Sequence, residues 1–113
     1  MKIIKTTIKD CILIEPRVFK DDRGFFLETY QKNKYETFIP DENEFVQDNI
    51  SFSKKNVLRG LHFQRNNPQG KLVRVLEGKV FDVAVDLRQN SKTFGKHIEI
   101  ILDHSVQNQL WIP

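Results

Sequence analysis

One stretch of the chain combines charged and proton-transferring side chains with a strand-like apolar pattern. Residues 57–64 read Val-Leu-Arg-Gly-Leu-His-Phe-Gln, which sets a cation (Arg59), an imidazole (His62) and an amide (Gln64) among core-type residues. A lone histidine in such a strand is more often a hydrogen-bonded core residue than a catalyst. Here several polar groups share the strand, and burying them without partners is costly. The stretch therefore favours a polar pocket inside a β-barrel.

The spacing of Arg59 and His62 conflicts with a regular strand. Residues three positions apart point to opposite faces of a strand, so both side chains can face one pocket only if the alternation is reset between them. Gly60 lies between the two and can host a bulge or a sharp twist. We predict that the strand is irregular at Gly60.

Further polar side chains fall at positions that the strand pattern aims inward. Gln47 and Asn49 alternate on an earlier strand, and Lys71 begins a later one directly after a glycine. Such a lysine is either an ordinary exposed residue or a cation aimed at a phosphate or a developing oxyanion, and both interpretations stay open. Asp82 and Asp86 share a face of the next strand. They can orient a histidine or hold a hydroxyl, although for Asp86 we favour hydrogen bonding to loop backbone.

Other catalytic and metal-binding patterns are missing from the sequence. The histidines, His62, His97 and His104, form no His-x-His pair and have no glutamate at metal-cupin spacing, which argues against a metal site. Cys11 is the only cysteine, so an internal disulfide is excluded, and we interpret it as a small packed residue. There is no phosphate-binding glycine motif and no serine nucleophile elbow.

Length and composition predict one soluble globular domain over residues 1–113. Hydrophobic residues make up 39% and charged residues 29% of the chain. The net charge of +3 is small and scattered, which argues against a nucleic-acid surface but suits an anionic small-molecule ligand. No apolar run approaches the ~20 residues that cross a bilayer, and the first residues lack a signal-peptide pattern. We therefore expect a cytoplasmic protein with no membrane association.

The hydrophobic pattern has a period of two along most of the chain and predicts eight or nine short strands, typical of an all-β sandwich, barrel or jelly roll. The only plausible helix is a short one at 31–39, ended by Pro40. We expect residues 1–7 to form a strand that pairs outside its own sheet, with a second subunit. Glu77-Gly78 predicts a hairpin turn between the strands at 71–76 and 79–87. The other predicted strands cover 8–14, 25–30, 44–53, 57–64, 96–102 and 107–112.

A series of motifs along nearly the whole chain resembles the dTDP-4-dehydrorhamnose 3,5-epimerase family. The motifs are Phe19-x-Asp-x-Arg-Gly-x-Phe-x-Glu28, Phe45-Val-Gln-Asp-Asn-x-Ser-x-Ser53, Val57-Leu-Arg-Gly-Leu-His-Phe-Gln64, Gln69-Gly-Lys-Leu-Val-Arg-Val75, Gly78-x-Val-x-Asp-Val-Ala-Val-Asp-Leu-Arg88, Ser91-x-Thr-Phe-Gly95 and Gln109-Leu-Trp-Ile-Pro113. The resemblance implies a cofactor-free, metal-free cupin-like jelly roll that acts as a homodimer. It also implies a reaction that converts dTDP-4-dehydro-6-deoxy-D-glucose to dTDP-4-dehydro-L-rhamnose, in dTDP-L-rhamnose biosynthesis.

That reaction inverts C3 and C5, which flank the C4 ketone and are acidic because each carbanion delocalises into the ketone as an enolate. A base removes a proton and an acid returns one to the opposite face. The resemblance assigns the base to His62 and places Lys71 near the sugar. It assigns binding of the nucleotide and its diphosphate to Arg23, Glu28, Gln47, Asn49 and Arg59. We expect Arg59, His62, Lys71, Gln47 and Asn49 to converge on one cavity inside the barrel.

The sequence departs from the family pattern at its C-terminal end. Members continue past Trp-Ile-Pro into a Gly-Phe-Ala-His-Gly-Phe segment, the acid tyrosine and the aspartate that pairs with the base. Tyr30 and Tyr35 match neither acid position. We therefore expect a jelly roll that is incomplete at the C-terminus, a truncated frame or fragment, poorly folded and with little net epimerisation. The alternatives are a non-catalytic dTDP-sugar-binding fragment and a related sugar-nucleotide ketoisomerase.

Overall fold

The computed structural model describes residues 1–39 and 44–113, and this part of the chain is almost entirely β. Its one helix, α1, covers Lys32–Tyr35 and is shorter than predicted; Pro40, the predicted helix end, lies outside the described residues. The strands are β1 (Lys2–Lys5), β2 (Ile12–Glu15), β3 (Val18–Asp21), β4 (Gly24–Leu27), β5 (Lys71–Arg74), β6 (Lys79–Val85), β7 (His97–Asp103) and β8 (Gln109–Ile112).

A four-stranded antiparallel sheet in the order β1-β2-β8-β5 forms the centre of the molecule. Two hairpins, β3-β4 and β6-β7, form separate two-stranded sheets. In the central sheet Trp111 of β8 lies between Ile12 of β2 and Leu72 of β5. The next row sets Leu110 between Leu13 and Val73. Because successive side chains point to opposite faces, these two rows belong to different layers of the core.

Each face of the central sheet packs against a different part of the chain. On one face, Leu110 joins a buried cluster with Ala84, Ile98 and Leu102 from the β6-β7 hairpin. On the other face, Trp111 is fully buried in a cluster whose other buried members are Ile12, Ile14, Tyr35 and Ile39. The second cluster ties the helical region to the sheet, and β8 contributes a fully buried residue to each layer of the core.

The structure corrects the predicted pairing of the strand around 71–76 and of the N-terminal strand. Glu77-Gly78 does not close a hairpin between β5 and β6, because β5 pairs with β8 and β6 pairs with β7. β1 does form, but it pairs with β2 in its own sheet. A turn also breaks the predicted alternation over 8–14: Asp10 has φ +67°, and Ile8 packs with Cys11 instead of with Ile12.

The predicted strands at 44–53 and 57–64 are absent, and residues 44–70 contain no regular helix or strand. Within residues 1–39 and 44–113, no helix has the length and apolar character that crossing a bilayer requires. The remaining predicted strands are present with bounds shifted by a few residues.

Candidate functional site

Most of the predicted site residues lie on residues 44–70, which we call the site segment. It carries Gln47, Asn49, Arg59 and His62, and all four side chains are exposed. Lys71 follows directly as the first residue of β5 and is also exposed. The structure therefore corrects the prediction of an enclosed barrel cavity: no element of the described chain covers these side chains.

Trp111 holds both ends of the site segment against the central sheet. The Phe45 ring meets the indole edge-on, with ring centroids 5.7 Å apart. At the other end, Gly70 lies so close to the indole that a Cβ atom there would overlap Cη2 of Trp111. The Trp111 side chain is fully buried, and its Nε1 has no hydrogen-bond partner among the described residues. A fully buried indole in the central strand thus fixes where the segment leaves and rejoins the body.

The guanidinium of Arg59 is hydrogen-bonded within the site segment. Nε donates to Oγ of Ser53 at 2.8 Å, and Nη2 donates to the carbonyl oxygen of Phe52 at 2.9 Å. Both acceptors are neutral, so the guanidinium keeps its positive charge uncompensated by them. A planar cation held in this way can present its remaining N–H groups to an oxyanion.

The two amides at the start of the segment lie together, as the sequence pattern predicts. Nε2 of Gln47 donates to Oδ1 of Asn49 at 3.1 Å. Residues two apart share one side of an extended chain, which explains how they meet without a regular strand. Their exposed amide groups can bond a polar ligand on that side.

His62 lies beside the irregular backbone that the spacing predicts. Gly60 has φ +106°, a conformation that favours glycine, so the backbone is irregular there, but the strand predicted around it is absent. A Cβ at position 60 would come within 3.1 Å of Cδ2 of His62, so the imidazole packs over the glycine. No hydrogen bond joins any two of Arg59, His62 and Lys71 in the part of the chain that the structure describes. Their convergence on one ligand stays a prediction.

The remaining predicted binding residues lie on or just after the β3-β4 hairpin and are already paired. Nε and Nη2 of Arg23 donate to Oδ2 of Asp21 at 3.2 Å and 2.6 Å. This pairing lowers the pKa of the Asp21 carboxyl. Glu28 accepts from Nζ of Lys34 at 2.8 Å and 3.0 Å. A ligand that uses Arg23 or Glu28 must therefore compete with an existing ion pair.

Asp82 of β6 and Asp86, which follows the end of that strand, have different environments. Desolvation by burial raises the pKa of Asp82. Asp86 is buried and accepts hydrogen bonds from the Arg88 guanidinium and from the hydroxyls of Ser91 and Thr93, which hold its pKa well below the usual range. The backbone N–H of Arg88 also donates to Asp86, at 3.1 Å. This confirms the loop-bonding role that the sequence favours for Asp86.

The sequence did not identify the residues that orient Arg59 and hold the ends of the site segment. Ser53 was visible only as the last residue of a motif, and nothing in its type marks it as a partner of Arg59. Gly70 and Trp111 are far apart in sequence, and the single tryptophan was the only signal that could have drawn attention to their contact. Among the described residues, no cluster of three or more His, Cys, Asp or Glu side chains could hold a metal ion.

Comparisons with known proteins identify the family to which the chain is similar. The family model described as dTDP-4-dehydrorhamnose 3,5-epimerase matches residues 5–113. The dTDP-4-dehydrorhamnose 3,5-epimerase of Salmonella typhimurium is 56% identical over 114 residues, which cover 100% of this chain and 62% of that protein. The chain thus spans about three fifths of the length of curated relatives such as those of Salmonella typhimurium and Escherichia coli.

Solved structures show the same likeness. The dTDP-6-deoxy-D-glucose-3,5-epimerase of Legionella pneumophila, in complex with dTDP-4-keto-L-rhamnose, is 51% identical with a TM-score of 0.94, covering 99% of this chain and 60% of that one. The Bacillus anthracis dTDP-4-dehydrorhamnose 3,5-epimerase with TDP and PPi bound is 46% identical with a TM-score of 0.91, covering 99% and 65%. The nearly all-β fold is therefore the cupin-like jelly roll of these proteins, and the chain belongs to the dTDP-4-dehydrorhamnose 3,5-epimerase family.

Proposed function

We propose that the chain acts as a dTDP-4-dehydrorhamnose 3,5-epimerase, on dTDP-4-dehydro-6-deoxy-D-glucose, in dTDP-L-rhamnose biosynthesis. The observation that carries the proposal is the family match over residues 5–113, which includes the whole stretch around His62. The relatives from Legionella pneumophila and Bacillus anthracis, with a dTDP-sugar or TDP bound, support a thymidine nucleotide as the ligand.

In the proposed reaction, His62 removes the proton next to the C4 ketone, and the electron pair moves into the ketone to form an enolate. Imidazole is a competent base near neutral pH. Lys71 opens β5 with its exposed ammonium group and stabilises the enolate oxygen or the diphosphate. Arg59, Gln47 and Asn49 hold the nucleotide from the site segment, and Arg23 and Glu28 do so from the β3-β4 side. A proton from solvent water then adds to the opposite face of the enolate carbon, the C4 ketone re-forms, and that carbon is inverted.

We also propose that the chain works as a homodimer. β1 lies at one end of the central sheet, so one of its edges is open to a further strand. Phe25 and Phe26 on the β3-β4 hairpin are 58% and 71% exposed, which is more apolar surface than an isolated hairpin favours. A cytoplasmic location stays a prediction.

A dTDP-sugar-binding role without net epimerisation is the second candidate, and the burial of Tyr35 favours it. The Tyr35 hydroxyl is buried and hydrogen-bonded to Gln109 and to the Thr29 carbonyl. Tyr30 packs at a tilt against Tyr35 and edge-on against Phe45. Because it is already engaged, the Tyr35 hydroxyl is not available to return a proton to a sugar.

Exchange of solvent deuterium into the substrate distinguishes the two roles. With His62 as the base, the unaltered chain introduces deuterium at C3 or C5 even where net inversion is slow. The variant His62→Asn should lose about 10²- to 10⁴-fold of this exchange rate, the usual contribution of a general base. His97→Asn, which changes another exposed histidine on β7, is the matched control and should exchange normally. Ligand binding without exchange by the unaltered chain would favour the binding role.

A further inference from the structure

Hydrogen bonds within the site segment orient Arg59 and leave one edge of its guanidinium free. Nε and Nη2 donate to Ser53 Oγ and to the Phe52 carbonyl, so the edge of the guanidinium that they form is occupied. The opposite edge, formed by Nη1 and the other N–H of Nη2, meets no acceptor within residues 1–39 and 44–113. That edge is a planar fork of the kind that binds two phosphate oxygens at once.

The contrast with two other arginines shows what this arrangement achieves. Arg23 uses the same Nε–Nη2 edge to bind the Asp21 carboxylate. Arg88 uses that edge to bind Asp86. In both cases the partner is an anion and compensates the positive charge. Ser53 and the Phe52 carbonyl fix the same edge of Arg59 without compensating its charge.

We propose that Ser53 is a positioning residue for phosphate binding, which aims the free edge of Arg59 at the diphosphate of the nucleotide. This inference rests on the proposed function, since the diphosphate belongs to the dTDP-sugar. Two hydrogen bonds to neutral groups remove much of the rotational freedom of the long side chain before the ligand arrives. Binding then costs less side-chain entropy, and the full cationic charge remains available.

Substitutions at position 53 should change the affinity for dTDP by amounts that depend on the new side chain. Ser53→Ala removes one hydrogen bond of about 0.5–1.5 kcal/mol, which corresponds to a roughly 2- to 10-fold loss of dTDP affinity. Ser53→Thr keeps a hydroxyl and should retain the affinity. Ser53→Asp supplies an anion that pairs with Arg59 and repels the diphosphate, so its loss should exceed that of Ser53→Ala. Ser51→Ala, a change two residues away in the same exposed segment, is the matched control.

The test is calorimetric titration of the full 113-residue chain and its variants with dTDP and, separately, with thymidine. We expect Ser53→Ala and Arg59→Ala to weaken binding of dTDP and to leave binding of thymidine unchanged. In an Arg59→Ala background, Ser53→Ala should have no further effect, because the hydroxyl acts only through the guanidinium. The melting temperature of Ser53→Ala should match that of the unaltered chain, which separates positioning from a general loss of structure.

Three results would overturn the inference: normal dTDP affinity in Ser53→Ala, normal affinity in Arg59→Ala, or additive losses in the double variant. The first alone leaves the proposed function intact. A chain that binds no dTDP contradicts the proposed function, and nuclear magnetic resonance then decides the inference separately. In that case hydrogen exchange of the Arg59 Nε–H should be slower in the unaltered chain than in Ser53→Ala, and equal rates would refute the role of Ser53.

Discussion

Replacing Gly70 with alanine tests whether Trp111 fixes the end of the site segment that leads into Lys71. The new Cβ would overlap Cη2 of Trp111 and lie 3.0 Å from both Cζ2 and Cζ3. The indole has little room to yield, since it is fully buried on β8, with β2 on one side and β5 on the other. Either the indole must leave its position or the backbone at residue 70 must move away from the sheet.

Two opposing terms determine the size of the effect. Forcing an extra carbon into a packed core costs about 1–3 kcal/mol, and a collision with a rigid ring belongs in the upper part of that range. The φ of Gly70 lies outside the left-handed region, so alanine fits the backbone and stabilises by about 0.4–1 kcal/mol through the unfolded chain. We therefore expect a net loss of about 1–2 kcal/mol in the free energy of unfolding, where each kcal/mol lowers the melting temperature by about 4–8 °C.

Urea and thermal unfolding measure this loss directly. Trp111 is the only tryptophan, so its fluorescence reports on the contact itself, and circular dichroism reports on the sheet. Gln69→Ala changes the neighbouring exposed residue and should leave stability unchanged. Introducing Trp111→Phe removes the ring atoms that collide, so Gly70→Ala should cost less in that background. A Gly70→Ala chain as stable as the unaltered one, or more stable, would refute the close contact and the anchoring role of Trp111.

Two further predictions concern buried polar groups. Folding lowers the pKa of Asp86, because Arg88 and two hydroxyls bond its carboxylate, so below about pH 4 the unfolded chain binds more protons than the folded one. The stabilisation by Asp86 is therefore complete above that pH and declines as the pH falls. The melting temperature of the Asp86→Asn variant should fall less steeply between pH 7 and pH 3 than that of the unaltered chain. An equally steep fall in both would contradict this. Tyr35→Phe removes a buried hydroxyl that lies 2.9 Å from both of its acceptors and should cost about 1–3 kcal/mol in denaturant unfolding. Tyr30→Phe is the control, and an equal loss in both variants would show that the buried hydrogen bonds of Tyr35 are not the cause.

The strands predicted best from sequence are those that are buried on both faces, each face against a different cluster. In β8, Leu110 and Trp111 point to different clusters, and both are fully buried, so the apolar pattern alone marks a strand. The segments at 44–53 and 57–64 also carry strand-like patterns, but they form no ladder. A strand needs a hydrogen-bonded neighbour as well as a pattern. The pattern is local information, whereas the neighbour depends on residues distant in sequence.

The same distinction explains the error over the strand at 71–76. Gly78 has φ +79°, which its residue type allows, and the chain bends there. The bend does not determine the partner of β5, because β5 pairs with β8 and sets Leu72 opposite Trp111. Packing against a distant apolar strand decides the pairing, and residue spacing cannot show that.

In the candidate site, too, sequence predicted the residues but not the partners that they contact. Residue type and motif identified Arg59 and Arg23 equally well as phosphate-binding candidates, but their partners separate them. Arg23 pairs with Asp21 on the exposed hairpin, so a diphosphate must compete with that carboxylate for the guanidinium. Arg59 needs no such exchange, because its partners are neutral. Of the two, we therefore expect Arg59 to bind a diphosphate more readily, because the positive charge of Arg23 is already compensated by Asp21.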